Sequence, residues 1–275
     1  MLGKLLKYDF KSVFKFWWIA ALTSFVLSLI GGGCITVLRA ERDLPTVVNA
    51  SAMFVLIIAI VSVCVFCIVP TIIILIRYYK NFFTDEGYLT FTLPVKVKTL
   101  INSKLIMSVT LMIATAIVLA LDVFTMLGIG FAQEIFSKEF LDRILFLVKE
   151  LANHVGAYLV LYGVEAVLFV LLSVIGFYLF LFCCITLASV ITKKARVVTA
   201  IAIYYGVNCI VTFVMEIFVI FGMREIIQRI GALSENMVYP VLGVGLLTVI
   251  ALFTVFCIML YTLLFYMTDR KLNLT

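Results

Sequence analysis

The residues able to do chemistry in this chain are few, and most of them lie inside long apolar runs. Three acids, Asp122, Glu165 and Glu216, fall within such runs. An ionised group near the middle of a bilayer costs roughly 2.5–3.5 kcal/mol, so acids placed there line a path or find partners. All seven cysteines are also in apolar runs, where a thiol behaves as a small buried hydrophobe. Cys64-Val65-Phe66-Cys67 has redox-motif spacing, but no basic neighbour is present to activate a thiolate, and it reads as packing. A single histidine, His154, excludes HExxH and multi-histidine metal sites. The one Gly-Lys pair, Gly3-Lys4, is followed by Leu5, so the chain carries no P-loop of its own. Gly128-x-Gly130 and Gly243-x-Gly245 are fragments better suited to helix packing than to a nucleotide fingerprint. Nothing in these patterns argues for an enzyme.

The richest polar segment is the stretch from Tyr78 to Pro94. Thr84 is placed to cap a short helix whose first turn carries Asp85 and Glu86, as the helix dipole favours. Gly87 and Pro94 limit its length. Phe82, Phe83, Tyr88, Leu89 and Phe91 give it an aromatic density that a solvated loop does not need. These side chains must bury against lipid, their own helices or another protein, and an apolar patch rimmed by charge suits a partner.

The elements that position these residues follow from composition. Of 275 residues, 65% are apolar and 13% charged, against about half and a quarter in a soluble domain. The mean hydropathy is +1.26. No water-soluble fold of this length hides that much apolar surface, so the chain is an integral membrane protein. Runs at 16–38, 52–79, 103–127, 156–191, 197–221 and 238–267 each exceed the roughly 20 residues a spanning helix needs. The expected fold is all-α, a single polytopic domain of six transmembrane helices. The fourth run is overlong and should tilt, break or project, with Ser173 and Gly176 its weak points. Pro70 should kink the second span, and Gly31-Gly32-Gly33 allows close backbone approach near the end of the first.

Six spans return the chain to its starting side. With that side inward, fourteen of the 21 lysines and arginines are internal and seven external, which favours cytoplasmic termini. Asp122, Glu165 and Glu216 then fall in the outer half of their spans. There they would form an acidic exit lining for cationic or amphipathic cargo; the competing expectation is protonation, or bonding to Ser, Thr and backbone of adjacent helices. Residues 1–17 form an amphipathic interfacial helix, with Leu2, Leu5, Leu6, Phe10, Val13, Phe14 and Trp17 opposite Lys4, Lys7, Lys11 and Lys15. The basic start followed by an apolar run is not read as a signal peptide, because the run is long enough to span and no A-x-A site ends it. Two outer segments, 128–155 and 222–237, are amphipathic but too short or too charged to cross. They are expected to rest on the outer leaflet or to dip back into the protein.

The opening Leu5-Leu6-Lys7-Tyr8-Asp9-Phe10-Lys11, the loop Asp85-Glu86-Gly87-Tyr88-Leu89-Thr90-Phe91-Thr92-Leu93-Pro94 and the closing Arg270-Lys271-Leu272-Asn273-Leu274 resemble permease subunits of ABC-2 type ATP-binding-cassette exporters. Within that family the chain is similar to Gram-positive exporters of amphipathic peptides, including the phenol-soluble modulin type. The resemblance implies a coupling helix at 81–91 within the cytoplasmic loop 80–98, with Phe82, Phe83, Asp85, Glu86, Tyr88 and Leu89 seated on a cytoplasmic ATPase. It implies that 1–17 is a connecting elbow and 222–237 an outer re-entrant hairpin. Two permease copies, as a homodimer, and two ATPases carrying ATP and Mg²⁺ would form the working unit in a bacterial cytoplasmic membrane. No cofactor and no nucleic acid would bind this chain itself. Drug or lipid efflux by the same machinery, a non-transporting sensor or assembly module, and an ion-driven carrier remain open as alternatives.

Overall fold

The computed structural model describes residues 2–40, 45–84, 87, 95–156, 158–192, 195–231 and 235–270. Its regular elements are helices: α1 (Leu2–Arg39), α2 (Thr46–Phe83), α3 (Val97–Gly130), α4 (Ala132–Ile135), α5 (Lys138–Val155), α6 (Tyr158–Ile191), α7 (Arg196–Gly231) and α8 (Glu235–Arg270). Six stretches among the described residues are long and apolar enough to cross a membrane. They are α1, α2, α3, α6, the Arg196–Val214 part of α7 and the Pro240–Asp269 part of α8. The chain is an all-α, multi-pass membrane protein.

The helices outrun the apolar stretches that announce them. The amphipathic segment 2–17 is not a separate element; it forms the first turns of α1 and continues unbroken into the span. Helix α6 passes Ser173 and Gly176 without interruption. The Ser173 hydroxyl donates to the Phe169 carbonyl one turn back. A methyl group on Gly176 would lie 3.0 Å from the Phe253 ring, so this glycine admits a neighbouring helix and is not a point of weakness. The 34 residues of α6 extend ~51 Å at 1.5 Å per residue. Even a tilt of ~40° lets a helix use only ~39 Å inside a ~30 Å layer, so α6 projects beyond it. Pro70 and Pro240 lie inside α2 and α8 without ending them. Segment 222–231 continues α7, and 235–237 opens α8.

The chain divides into two compact units, residues 1–78 with 102–150, and residues 79–101 with 151–275. In the first, α1 and α3 are parallel neighbours. Trp17 Nε1 donates to Thr115 Oγ1 at 2.9 Å, Ser24 Oγ to Asp122 Oδ2 at 2.8 Å, and the Ser28 and Thr125 hydroxyls meet at 2.9 Å. The sequence separation of these pairs stays at 97 to 98 along the seam, which only parallel, in-register helices allow. A small residue makes the approach possible, since a methyl group on Gly32 would lie 2.9 Å from Ile129 of α3, while one on Gly31 would lie 2.8 Å from Ala59 of α2. In the second unit α6 and α7 form an antiparallel hairpin, joined at its tip by Thr192 and Thr199 at 3.0 Å. Helix α8 runs parallel to α6. The Cys183 thiol points at the Leu260 carbonyl, and Phe169 packs on Phe253 with ring centroids 6.1 Å apart.

Candidate functional site

The loop between α2 and α3 emerges from the end of α2, where the last carbonyls of a helix need partners from outside it. Three local features meet that need. The Arg196 guanidinium, from the first residue of α7, donates to the Phe83 carbonyl at 2.7 Å. The Thr84 hydroxyl donates to the Lys80 carbonyl at 2.6 Å. The Gly87 amide donates to the Thr84 carbonyl at 2.7 Å, which brings Gly87 over the backbone of Phe82. A methyl group on Gly87 would lie 2.8 Å from the Phe82 carbonyl oxygen. Only glycine fits that approach without a shift of the backbone.

The Thr84 hydroxyl closes the end of α2 through Lys80; the short helix that its sequence context suggested it would cap falls largely outside the described residues. Phe82 and Phe83 belong to α2 itself and are buried, within the unit formed by 79–101 and 151–275. Their rings pack on one another at 6.2 Å, and Phe83 also meets Tyr79 at 6.0 Å. Of the three burial options for these aromatics, Phe82 and Phe83 take their own chain. Asp85, Glu86, Tyr88 and Leu89 lie outside the described residues. At the far end of the loop, Lys98 holds its ammonium 4.9 Å from the centre of the Phe265 ring in α8, a cation–π contact.

The three acids have three different environments. Asp122 is fully buried in α3, with one oxygen bonded to Ser24 and the other without a hydrogen-bond partner. Glu165, in α6, is 3% exposed. Neither of its oxygens has a hydrogen-bond partner, and Gly243 of α8 lies against it. Glu216 is exposed on α7. Asp122 and Glu165 are thus buried among helices of the chain, and Glu216 is not.

A fourth ionisable group was not anticipated. Asp9, in the amphipathic start of α1, is 5% exposed and pairs with Lys104 of α3 at 2.5 Å; Lys104 is equally buried. This ion pair extends the α1–α3 seam toward the N-terminal ends of both helices. Asp9 could have been singled out, because at ~100° per residue it falls inside the apolar stripe of Leu5, Leu6 and Val13. A charge on an apolar face must find a partner. Arg196 and Gly87 carried no comparable sign. No protein-family model, curated protein or solved structure matches this chain.

Proposed function

We propose that this chain is the membrane-spanning permease subunit of an ATP-driven exporter, moving amphipathic peptides out of a bacterial cell. The observation that carries the reading is how the inner loop is rooted. Residues 79–101 group with the second half of the chain, through Arg196 on the Phe83 carbonyl at one end and Lys98 on Phe265 at the other. A push on such a loop is delivered to α7 and α8, and not only to the helix from which it emerges. With no P-loop in the sequence, the push must come from a separate nucleotide-hydrolysing subunit. In this reading two ATPases close on ATP, residues 81–91 act as the lever, and a path opens between two permease copies.

Burial of Phe83 makes its truncation a test of packing, so a charge of the loop is the cleaner probe of coupling. Purification of the chain should bring down a P-loop ATPase, with vanadate-sensitive hydrolysis in liposomes that an amphipathic peptide stimulates. Glu86→Lys and Arg196→Ala should each cut the peptide-stimulated fraction severalfold while leaving membrane insertion intact. Absence of any nucleotide-hydrolysing partner, or full stimulation in both variants, refutes the reading.

A further inference from the structure

The segment between α3 and α6 carries an apolar face that nothing among the described residues covers. Every side chain from Lys138 to Glu150 in α5 is exposed. At ~100° per residue, Leu147, Phe140, Ile144, Val148, Leu141 and Leu145 occupy one continuous arc of about 160°. All six charged residues of this stretch occupy the remaining arc, and Phe146 is the one aromatic among them. The charged side balances, with Lys138, Arg143 and Lys149 against Glu139, Asp142 and Glu150.

We propose that α5 lies in the membrane surface opposite the N-terminus, its apolar arc inserted among the outer ends of the lipid chains. Three observations select lipid as the occupant. The helix is tethered at both ends to spans, α3 ending at Gly130 and α6 starting at Tyr158, so it stays on the membrane face at which α3 ends. Its 18 residues make a strip ~27 Å long and, at ~10 Å wide, of about 270 Å². A stable protein interface needs nearer ~800 Å² on each side, so a second copy is a poor fit for this face alone. The mixed charges above the arc match zwitterionic headgroups and need no anionic lipid. The start of α1 contrasts with this: Lys4, Lys7, Lys11 and Lys15 are exposed there and its one acid, Asp9, is internally paired. That surface suits anionic lipid. The inference does not depend on the exporter reading.

The test uses the unmodified chain in nanodiscs made with a diazirine lipid whose reactive group sits just below the headgroup, with adducts mapped by peptide mass spectrometry. Span residues such as Phe124 and Val170, which are exposed on α3 and α6, serve as the internal standard for lipid contact when the diazirine is placed deeper in the chain. With the shallow probe, Leu141, Ile144, Leu145 and Val148 should carry severalfold more adduct than Asp142, Phe146 and Lys149. The yield should be the same in zwitterionic and anionic nanodiscs. Ile144→Glu with Leu145→Glu should lower labelling of α5 severalfold while the span standard is unchanged. Even labelling around the helix, or none on the apolar arc while the spans react, overturns the proposal; protection of the arc that vanishes on dilution to monomers would assign the face to a second copy instead.

Discussion

The buried pair of Asp9 and Lys104 places a strong requirement on this fold. Both side chains lie within a few per cent of complete burial, and desolvating two charges costs several kcal/mol each, which their mutual attraction only offsets in good geometry. Removing one partner therefore leaves an uncompensated charge, at a cost of about 3–5 kcal/mol, whereas replacing both with apolar groups of similar size is nearly neutral. Asp9→Leu and Lys104→Met should each lower the unfolding temperature in detergent clearly, and the double variant should recover most of the loss. Equal damage in all three would mean that the pair contributes specific bonding, beyond mutual neutralisation. The wheel position of Asp9 made its need for a partner readable from the sequence. That the partner is Lys104 was not readable, because the pair is made by helices whose register one sequence does not disclose. The same limit applies to Ser24 with Asp122. Either serine or threonine on several helices would have satisfied that acid equally well.

Among the elements, the contacts of α1 with α2 and α3 show how small residues decide helix spacing in lipid, where no hydrophobic drive brings helices together. The three consecutive glycines of α1 are not equivalent. A methyl group on Gly31 or Gly32 would meet a neighbour at 2.8 or 2.9 Å, whereas Gly33 has nothing within 4 Å. Gly31→Ala and Gly32→Ala should destabilise the protein by about 1–3 kcal/mol, the usual cost of overpacking. Gly33→Ala should be neutral or stabilising by up to ~1 kcal/mol, as helix propensity alone dictates. Chemical unfolding of the three variants side by side separates packing from propensity, and a loss in Gly33→Ala would show that another surface approaches that face. The six spans were legible because apolar runs above twenty residues have no other stable home. Their ends were not. Helix bonding continues past the apolar boundary wherever the next residues have partners. Arg196 and Thr84 provide such partners at the end of α2, and Asp9 with Lys104 does so at the start of α1.

At the scale of the whole molecule, the surface character of the two amphipathic segments carries a large part of the basic-residue bias that sets the expected orientation. Three crossings separate the start of α1 from α5, so the two segments lie on opposite faces of the membrane. The first presents four exposed lysines with its acid internally paired, and the second is charge-balanced. A net-positive surface is favoured on the cytoplasmic leaflet, where anionic lipids contribute about 1 kcal/mol per basic residue. A balanced one has no such preference. The positive-inside bias counted over all loops includes the basic residues of these two helices, so a direct measurement of sidedness is the deciding one. An amine reagent that cannot cross membranes should therefore modify Lys138 and Lys149 on intact cells, and Lys4, Lys7, Lys11 and Lys15 only in inverted vesicles. All six are exposed in the structure, so burial cannot mimic protection. The opposite labelling pattern would invert the orientation and carry the loop at 80–98 to the outer face, out of reach of any cytoplasmic ATPase. Labelling of both sets on the same side would instead require one fewer crossing between α1 and α5, and would remove one of the first three helices from the count of spans.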